Sequence, residues 1–189
     1  MMQRLSKSLS KWLIKCDVID NADRELYEYA VYCLFISISP IIITSILGLI
    51  MGKLSESIIL IIPFMTIRKY SGGYHAKSFR ACLIISTCLM AICISMTSFI
   101  KCGMVLDIIT LCAIGSLILF SPIDHENRRL DEYEKKKYKK TAGIIAILFG
   151  IIYLALILFQ INKYAICISM GLIISAGLQF PCVIFKRKN

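Results

Sequence analysis

Acidic residues are scarce in this 189-residue chain: 12 Asp and Glu stand against 22 Lys and Arg, for a formal net charge of +10. Histidine is scarcer still, with only His75 and His125. Nine cysteines are present but scattered, and no Cys-x-x-Cys pair occurs. A metal centre needs three or four convergent ligands, so no metal is expected. The Gly72-Gly73 pair lacks the GxxxxGK pattern and a preceding strand, which excludes a phosphate-cradling loop and, with it, nucleotide-driven pumping. No cofactor is expected. Also missing are an internal repeat, a low-complexity linker and a boundary for a second domain, so 1–189 reads as a single domain. Charges interrupt the first twenty residues throughout, and no apolar stretch precedes a small-residue cleavage site, which excludes a signal peptide.

What is abundant is apolar sequence. Hydrophobic residues make up 58% of the chain and its mean hydropathy is +0.75, well beyond a soluble domain of this length. Six apolar runs stand out: Ala30 to Ile50, Leu54 to Ile67, Ala81 to Ile100, Met104 to Phe120, Ala142 to Gln160 and Tyr164 to Phe185. Most approach the roughly 20 residues that a helix needs to cross a bilayer. The basic residues test this count. Nineteen of the 22 fall in the N-terminal segment, the second and fourth connections and the tail, whereas the first, third and fifth connections hold only Lys53, Lys101 and Lys163. Cytoplasmic loops carry the excess of Lys and Arg. The expectation is an all-α, polytopic membrane protein with six transmembrane helices in residues 30–185, and both termini, the second connection with His75 and the fourth connection on the cytoplasmic side of the cell membrane. Because the positive charge follows the membrane pattern rather than a groove or recognition motif, no nucleic-acid partner is expected.

Residues 1–20 read as an interfacial helix lying on the inner leaflet. Leu5, Leu9, Trp12, Leu13, Cys16 and Ile19 share one face of a helical wheel, and Arg4, Lys7, Lys11 and Lys15 share another. Asp20-Asn21-Ala22-Asp23 supplies capping residues for the next helix. The run Leu54 to Ile67 is the shortest, about 21 Å at roughly 1.5 Å per residue. Either the bilayer thins there or the following loop dips inward, into a partly dry pocket. Ser121-Pro122 stops the fourth span, and Asp131 to Lys140 is expected to be helical, with Glu132 and Lys136 in the favourable i,i+4 order.

The loop after the second run carries the chemistry. The basic, glycine-broken stretch Arg68-Lys69-Tyr70-Ser71-Gly72-Gly73-Tyr74-His75-Ala76-Lys77-Ser78-Phe79-Arg80-Ala81-Cys82 holds both a thiol and an imidazole. A thiol attacks as thiolate, favoured by cations such as Lys77 and Arg80 and by a position in the first turn of a helix. An imidazole such as His75 can take the thiol proton near neutral pH. On one continuous helix the Cα atoms of His75 and Cys82 would be about 10.5 Å apart, too far for proton transfer across about 3 Å. Catalysis therefore requires a break or a turn between them. Plainer readings stand beside this one. A cysteine in or beside an apolar span is usually a small hydrophobe, His75 suits contact with lipid phosphate, and the basic loops follow from topology and anionic lipid.

Residues 68–82, with the pattern Arg-x-x-x-Gly-Gly-x-His-Ala and Cys82 seven positions after the histidine, resemble the accessory gene regulator protein B family of bacterial membrane endopeptidases. The likeness extends to the amphipathic N-terminus, the hydrophobic layout and the segment Ser121-Pro122-Ile123-Asp124-His125-Glu126-Asn127-Arg128, which looks like that family's Pro-Val-Asp/Glu…Asn-Lys loop. It implies removal of the C-terminal tail from a short quorum-sensing precursor peptide that has an amphipathic leader and an acidic tail. Cys82 would be the nucleophile and His75 the base, with an acyl-enzyme thioester closing to a thiolactone or lactone. Asp124 ranks first to orient His75, ahead of Asn127 and Ser71. Arg68, Gly72 and Gly73 match the motif and are expected to shape the loop or bind substrate, as are Lys77, Arg80, Asn127 and Arg128. The resemblance also implies a homodimer.

Two other readings remain open from residues alone: a transporter of peptides or small molecules without covalent chemistry, and a non-catalytic membrane scaffold. Six spans suit transport, but Glu56 and Asp107 sit near span ends, with no ion-coupling pair at mid-membrane.

Overall fold

The computed structural model describes residues 2–16, 18–72, 79–123 and 131–180; the side chains of residues 2–4, 21, 36 and 79–83 are outside the description. Within these limits the chain is all-α, with no strand: α1 (Met2–Lys15), α2 (Arg24–Ile50), α3 (Leu54–Ser71), α4 (Phe79–Met96), α5 (Met104–Phe120), α6 (Glu132–Leu158) and α7 (Asn162–Gly177). It falls into two compact units, Met1–Ile43 and Thr44–Asn189.

In the first unit the amphipathic pattern produces α1, which ends at Lys15. Cys16 and Ile19 therefore lie beyond the helix rather than on its apolar face. The physical reason is local: Asp20 to Asp23 favour turns, and Asn21–Asp23 form a 3-10 turn in which Asp23 N donates to Asp20 O at 3.1 Å. Lys7 and Glu28 link α1 to α2 at 3.7 Å. Ser6 and Ser10 form the buried side of α1, leaving Leu5, Leu9 and Trp12 exposed, the last at 58%. The apolar face is thus open to a lipid surface.

The second unit is built around α7. Eleven of its sixteen residues are buried, among them Cys167, Leu172 and Ala176. One core cluster joins Leu60, Ile61 and Phe64 of α3 with Met90 and Cys93 of α4 and Met170 of α7; another joins Ile67 with Leu117 of α5, Ala146 and Tyr153 of α6 and Leu172. Small and hydroxylated side chains face inward: Thr110 Oγ1 and Ser169 Oγ share a hydrogen bond of 2.6 Å. Large aliphatic ones face outward, including Ile108 and Leu111 on α5 and Ile144, Leu148, Ile151 and Leu154 on α6. This distribution suits a hydrocarbon solvent, in which close helix contact comes from small residues and interhelical hydrogen bonds. Helices α2 and α6, 27 residues each, are long and apolar enough to cross a bilayer, and Ile84–Met96 and Met104–Phe120 are shorter apolar helices.

Pro63 within α3 faces Gly171 of α7. A Cβ at Gly171 would stand 2.8 Å from Leu60 O and 2.7 Å from Pro63 Cγ, and the backbone carbonyl has nowhere to retreat inside a helix. Gly171→Ala is expected to cost about 1–3 kcal/mol by overpacking. Denaturant unfolding in micelles reads this directly, and an unchanged midpoint would show that α3 and α7 can separate freely.

Two sequence expectations change at the helix ends. Helix α3 continues through Arg68-Lys69-Tyr70 to Ser71, so it reaches about 27 Å rather than about 21 Å, and Arg68 belongs to its last turn rather than to a loop. Basic side chains there complement the helix dipole, which lets the helix outrun its apolar stretch. The helix expected over Asp131 to Lys140 is present from Glu132, but it is the start of the single helix α6 rather than part of a loop. Asp131 precedes the single helix α6, with its N–H directed to Glu134 Oε2 at 3.4 Å, and Glu132 pairs with Lys135 at 3.5 Å rather than with Lys136.

Candidate active site

The helices of the second unit have two polar ends. At one, Lys163 binds the buried Glu56 at 2.8 Å, Lys53 Nζ donates to Ile94 O at 2.9 Å, and Cys102 lies 3.6 Å from Asn162 O. The connections bearing Lys53, Lys101 and Lys163, the three basic residues set apart by the charge pattern, thus meet at one end. The Glu56 carboxylate holds the Lys163 ammonium above its usual range. Cys102 is a described thiol outside the apolar helices, and burial, together with the nearby Asp107 carboxylate, pushes it up. That is the wrong direction for a nucleophile at neutral pH.

The opposite end is where the two motif segments take root. Helix α3 stops because Gly72 leaves helical geometry, with φ 69° and ψ −154°, a region that is essentially glycine-only. Its N–H still closes onto Arg68 O at 3.3 Å, while its carbonyl accepts from Arg68 Nη1 at 3.3 Å and Ser71 Oγ at 3.2 Å. Ser71 O then accepts from Ile123 N at 3.0 Å. The chain leaving α3 toward His75 and the chain leaving α5 toward Asp124 are therefore stitched together by a backbone hydrogen bond. Closeness is extreme: a Cβ on Gly72 would stand 2.6 Å from Ile123 O. Ser121 adds its hydroxyl, which accepts from Gln179 Nε2 at 2.9 Å, and the same nitrogen lies 3.5 Å from Ser71 O.

Basic charge gathers at this end as well. Tyr70 of α3 meets Tyr138 of α6 edge to face, with ring centroids 5.8 Å apart, and Lys69 Nζ sits 5.7 Å from the Tyr70 ring. This contact brings the last turn of α3, with Arg68 and Lys69, beside the lysine-rich start of α6.

Among the expected site residues, Arg68 and Gly72 lie at this junction. Cys82 and Arg80 are the fourth and second residues of α4, though their side chains are outside the description. Gly73, His75, Lys77, Asp124, Asn127 and Arg128 lie outside the described residues. Gln179 belongs to no motif. Its one visible signal is a polar amide inside the apolar stretch Tyr164 to Phe185, which is a reason to look for function in a membrane setting.

The fold and this junction define an all-helical membrane protein in which two polar segments rise from one hydrogen-bonded root. The chain belongs to the Accessory gene regulator B family, whose pattern matches residues 5–180. Two proteins of Clostridium perfringens named as AgrB-like, one from strain SM101 and one from strain 13, are each 28% identical to it over 194 residues, covering 97% of this chain and 90% of theirs. A second AgrB-like protein of strain 13 is 27% identical over the whole of both chains. No solved structure matches the chain.

Proposed function

We propose that this protein is a membrane cysteine endopeptidase that removes the C-terminal tail of a quorum-sensing precursor peptide and promotes closure of the remainder into a thiolactone or lactone. The observation that carries this reading is the bond from Ile123 N to Ser71 O, which roots the His75 segment and the Asp124 segment at one point in a chain of this family. The position of Cys82 in the first residues of α4 adds the helix-terminal field that favours a thiolate.

The steps balance without a co-reactant. His75 takes the Cys82 proton, and the thiolate attacks the carbonyl at the C-terminal end of the signal sequence. The amide C–N bond breaks, the imidazolium returns its proton to the departing tail amine, and the signal stays on Cys82 as a thioester. A thiol or hydroxyl within the precursor then loses its proton to the imidazole and attacks the thioester carbonyl. Closing the ring releases the Cys82 thiolate, which regains the proton. Asp124 orients the imidazole. Backbone amides at the start of α4 serve the tetrahedral oxyanion. Water must be held away during the transfer, because hydrolysis would give a linear product.

In this reading α2 to α7 are six membrane spans, with both termini and the junction on the cytoplasmic face and the protein working as a homodimer. An amphipathic precursor leader would share the leaflet with α1, raising its local concentration. Lys69 and the lysines that open α6 would receive the acidic tail, with Lys77, Arg80, Asn127 and Arg128 contributing from their segments. Converting an amide into a thioester is uphill, so departure of the tail draws the reaction forward.

The test is intact-protein mass spectrometry of the full chain in lipid with a candidate precursor peptide bearing leader, internal Cys or Ser and acidic tail. The expected result is a precursor-derived thioester on Cys82 and free tail. Folded protein that yields neither adduct nor tail with several such precursors removes the peptidase reading and favours transport or scaffolding.

A further inference from the structure

The end of the second unit remote from the junction combines tethered charges with an open apolar surface. Lys163 is held by Glu56, and Lys53 Nζ donates to Ile94 O and Thr97 Oγ1. Around them Ile50, Phe99, Met104, Val105, Leu158 and Phe159 stand free, from 72% exposed at Val105 to 82% at Leu158. Exposed apolar surface gathered from three connections marks an interaction site. The turns suit an apolar surrounding. Each backbone N–H of residues 51–53, 97–100 and 159–161 donates to a carbonyl of the helix before it, closing the donors that a segment in lipid must not leave open. The starts of α3, α5 and α7 have no side-chain cap, so their first N–H groups point along the helix axes toward this leaflet, where lipid ester oxygens are acceptors. The helices are also short. Helix α5 has 17 residues and α7 has 16, about 25 Å and about 24 Å against a hydrocarbon core of about 30 Å.

We propose that this end is a lipid-binding surface submerged in its leaflet: the six apolar side chains lie among the upper acyl chains, and the bilayer thins locally to meet them. The inference rests on the six-span arrangement in the reading above, not on its chemistry. With the junction at the inner interface, α5 and α7 stop about 5 Å short of the far one, and a shortfall of that kind is met by thinning. Continuity of the surface selects lipid as the occupant. Met104 and Val105 extend the outward face of Ile108 on α5, and Leu158 extends that of Ile151 and Leu154 on α6, at the spacing of one helix face. Lys101, which is exposed, reaches the headgroups by extending its side chain.

Tryptophan quenching tests this in the full-length protein in phosphatidylcholine vesicles. On a Trp12→Phe background, Phe99→Trp and Phe159→Trp each place one fluorophore at this end, and Leu148→Trp, on the outward face of α6, serves as the reference for the lipid belt. Lipids brominated in the upper acyl chains should remove as much emission from the two end positions as from the reference, and aqueous iodide should remove little. From dimyristoleoyl to dierucoyl phosphatidylcholine the denaturant midpoint of the native chain should fall, because the mismatch grows; a midpoint that rises would overturn the thinning. With the reference quenched by bromolipid, quenching of both end positions by iodide alone would put this end in water, and protection from both quenchers would mean that protein covers it. Either result overturns the inference and leaves the spans standing. If Leu148→Trp also escapes the bromolipid, the six-span reading fails, and this inference with it.

Discussion

Cys82→Ala is expected to reduce tail release from the precursor by about 10⁴-fold or more, because a nucleophile acting with its base as a unit cannot be partly replaced. No thioester adduct should form. Cys82→Ser should be nearly as inactive, since an imidazole that suffices for a thiol leaves most of a far less acidic hydroxyl protonated near neutral pH. Precursor binding should change little in both variants, so the loss appears in the rate at saturating peptide rather than in the concentration required. The measurement is a time course of tail release in vesicles, with helicity checked by circular dichroism. Folded Cys82→Ala protein that still cleaves would show that the thiol is a small hydrophobe, like Cys93 and Cys167 in the core. Full transport of a labelled peptide in that variant, with no cleavage in the native chain, would instead identify a transporter.

Gly72→Ala should have the next largest effect, and for reasons visible in the backbone. Gly72 has φ 69° and ψ −154°, where a side chain carries strain of about 1–3 kcal/mol. Its Cβ would also stand 2.6 Å from Ile123 O, and relief means pulling the two segments apart, a further cost of about 1–3 kcal/mol. Either the bond from Ile123 N to Ser71 O breaks or α3 unwinds at Arg68. A displacement of about 1 Å at a reacting group can cost about 100-fold in rate. Tail release in Gly72→Ala should therefore fall by about 100-fold, with a lowered unfolding midpoint in micelles. Normal activity would mean that the junction does not position the catalytic pair, leaving the family motif to be explained by the segment beyond it.

How much of this was legible in the chain depends on the range of the interaction involved. The helical content, the order of the apolar stretches and the amphipathic face of α1 follow from local periodicity, and each appears in the structure. The grouping of Lys53, Lys101 and Lys163 at one end was also legible, because alternating charge reflects how consecutive helices reverse. Boundaries were less so. The 14-residue run Leu54 to Ile67 hid an 18-residue α3, because a basic last turn is favourable to a helix even where it is unfavourable in hydrocarbon. The helicity of Asp131 to Lys140 was legible, but its charges concealed its continuity with the apolar part of α6.

The candidate site divides along the same line. Residue chemistry and spacing singled out His75 and Cys82, whose reactivity depends on residue type and near neighbours in the chain. They could also select Gly72, since a glycine pair after a helical stretch signals a turn. They could not reveal why that glycine must be bare, because the obstacle is Ile123 O, 51 positions away. Gln179 was illegible for the same reason: its partners are Ser121 and Ser71, 58 and 108 positions distant. The sequence by itself determined an all-helical membrane chain with a thiol and an imidazole at the edge of a basic segment, since hydropathy, charge and side-chain acidity are properties of residues. Only the tertiary structure decided that the two motif segments share a root and that a distant amide clamps it, because hydrogen bonds between backbones so far apart in the chain depend on how the helices pack.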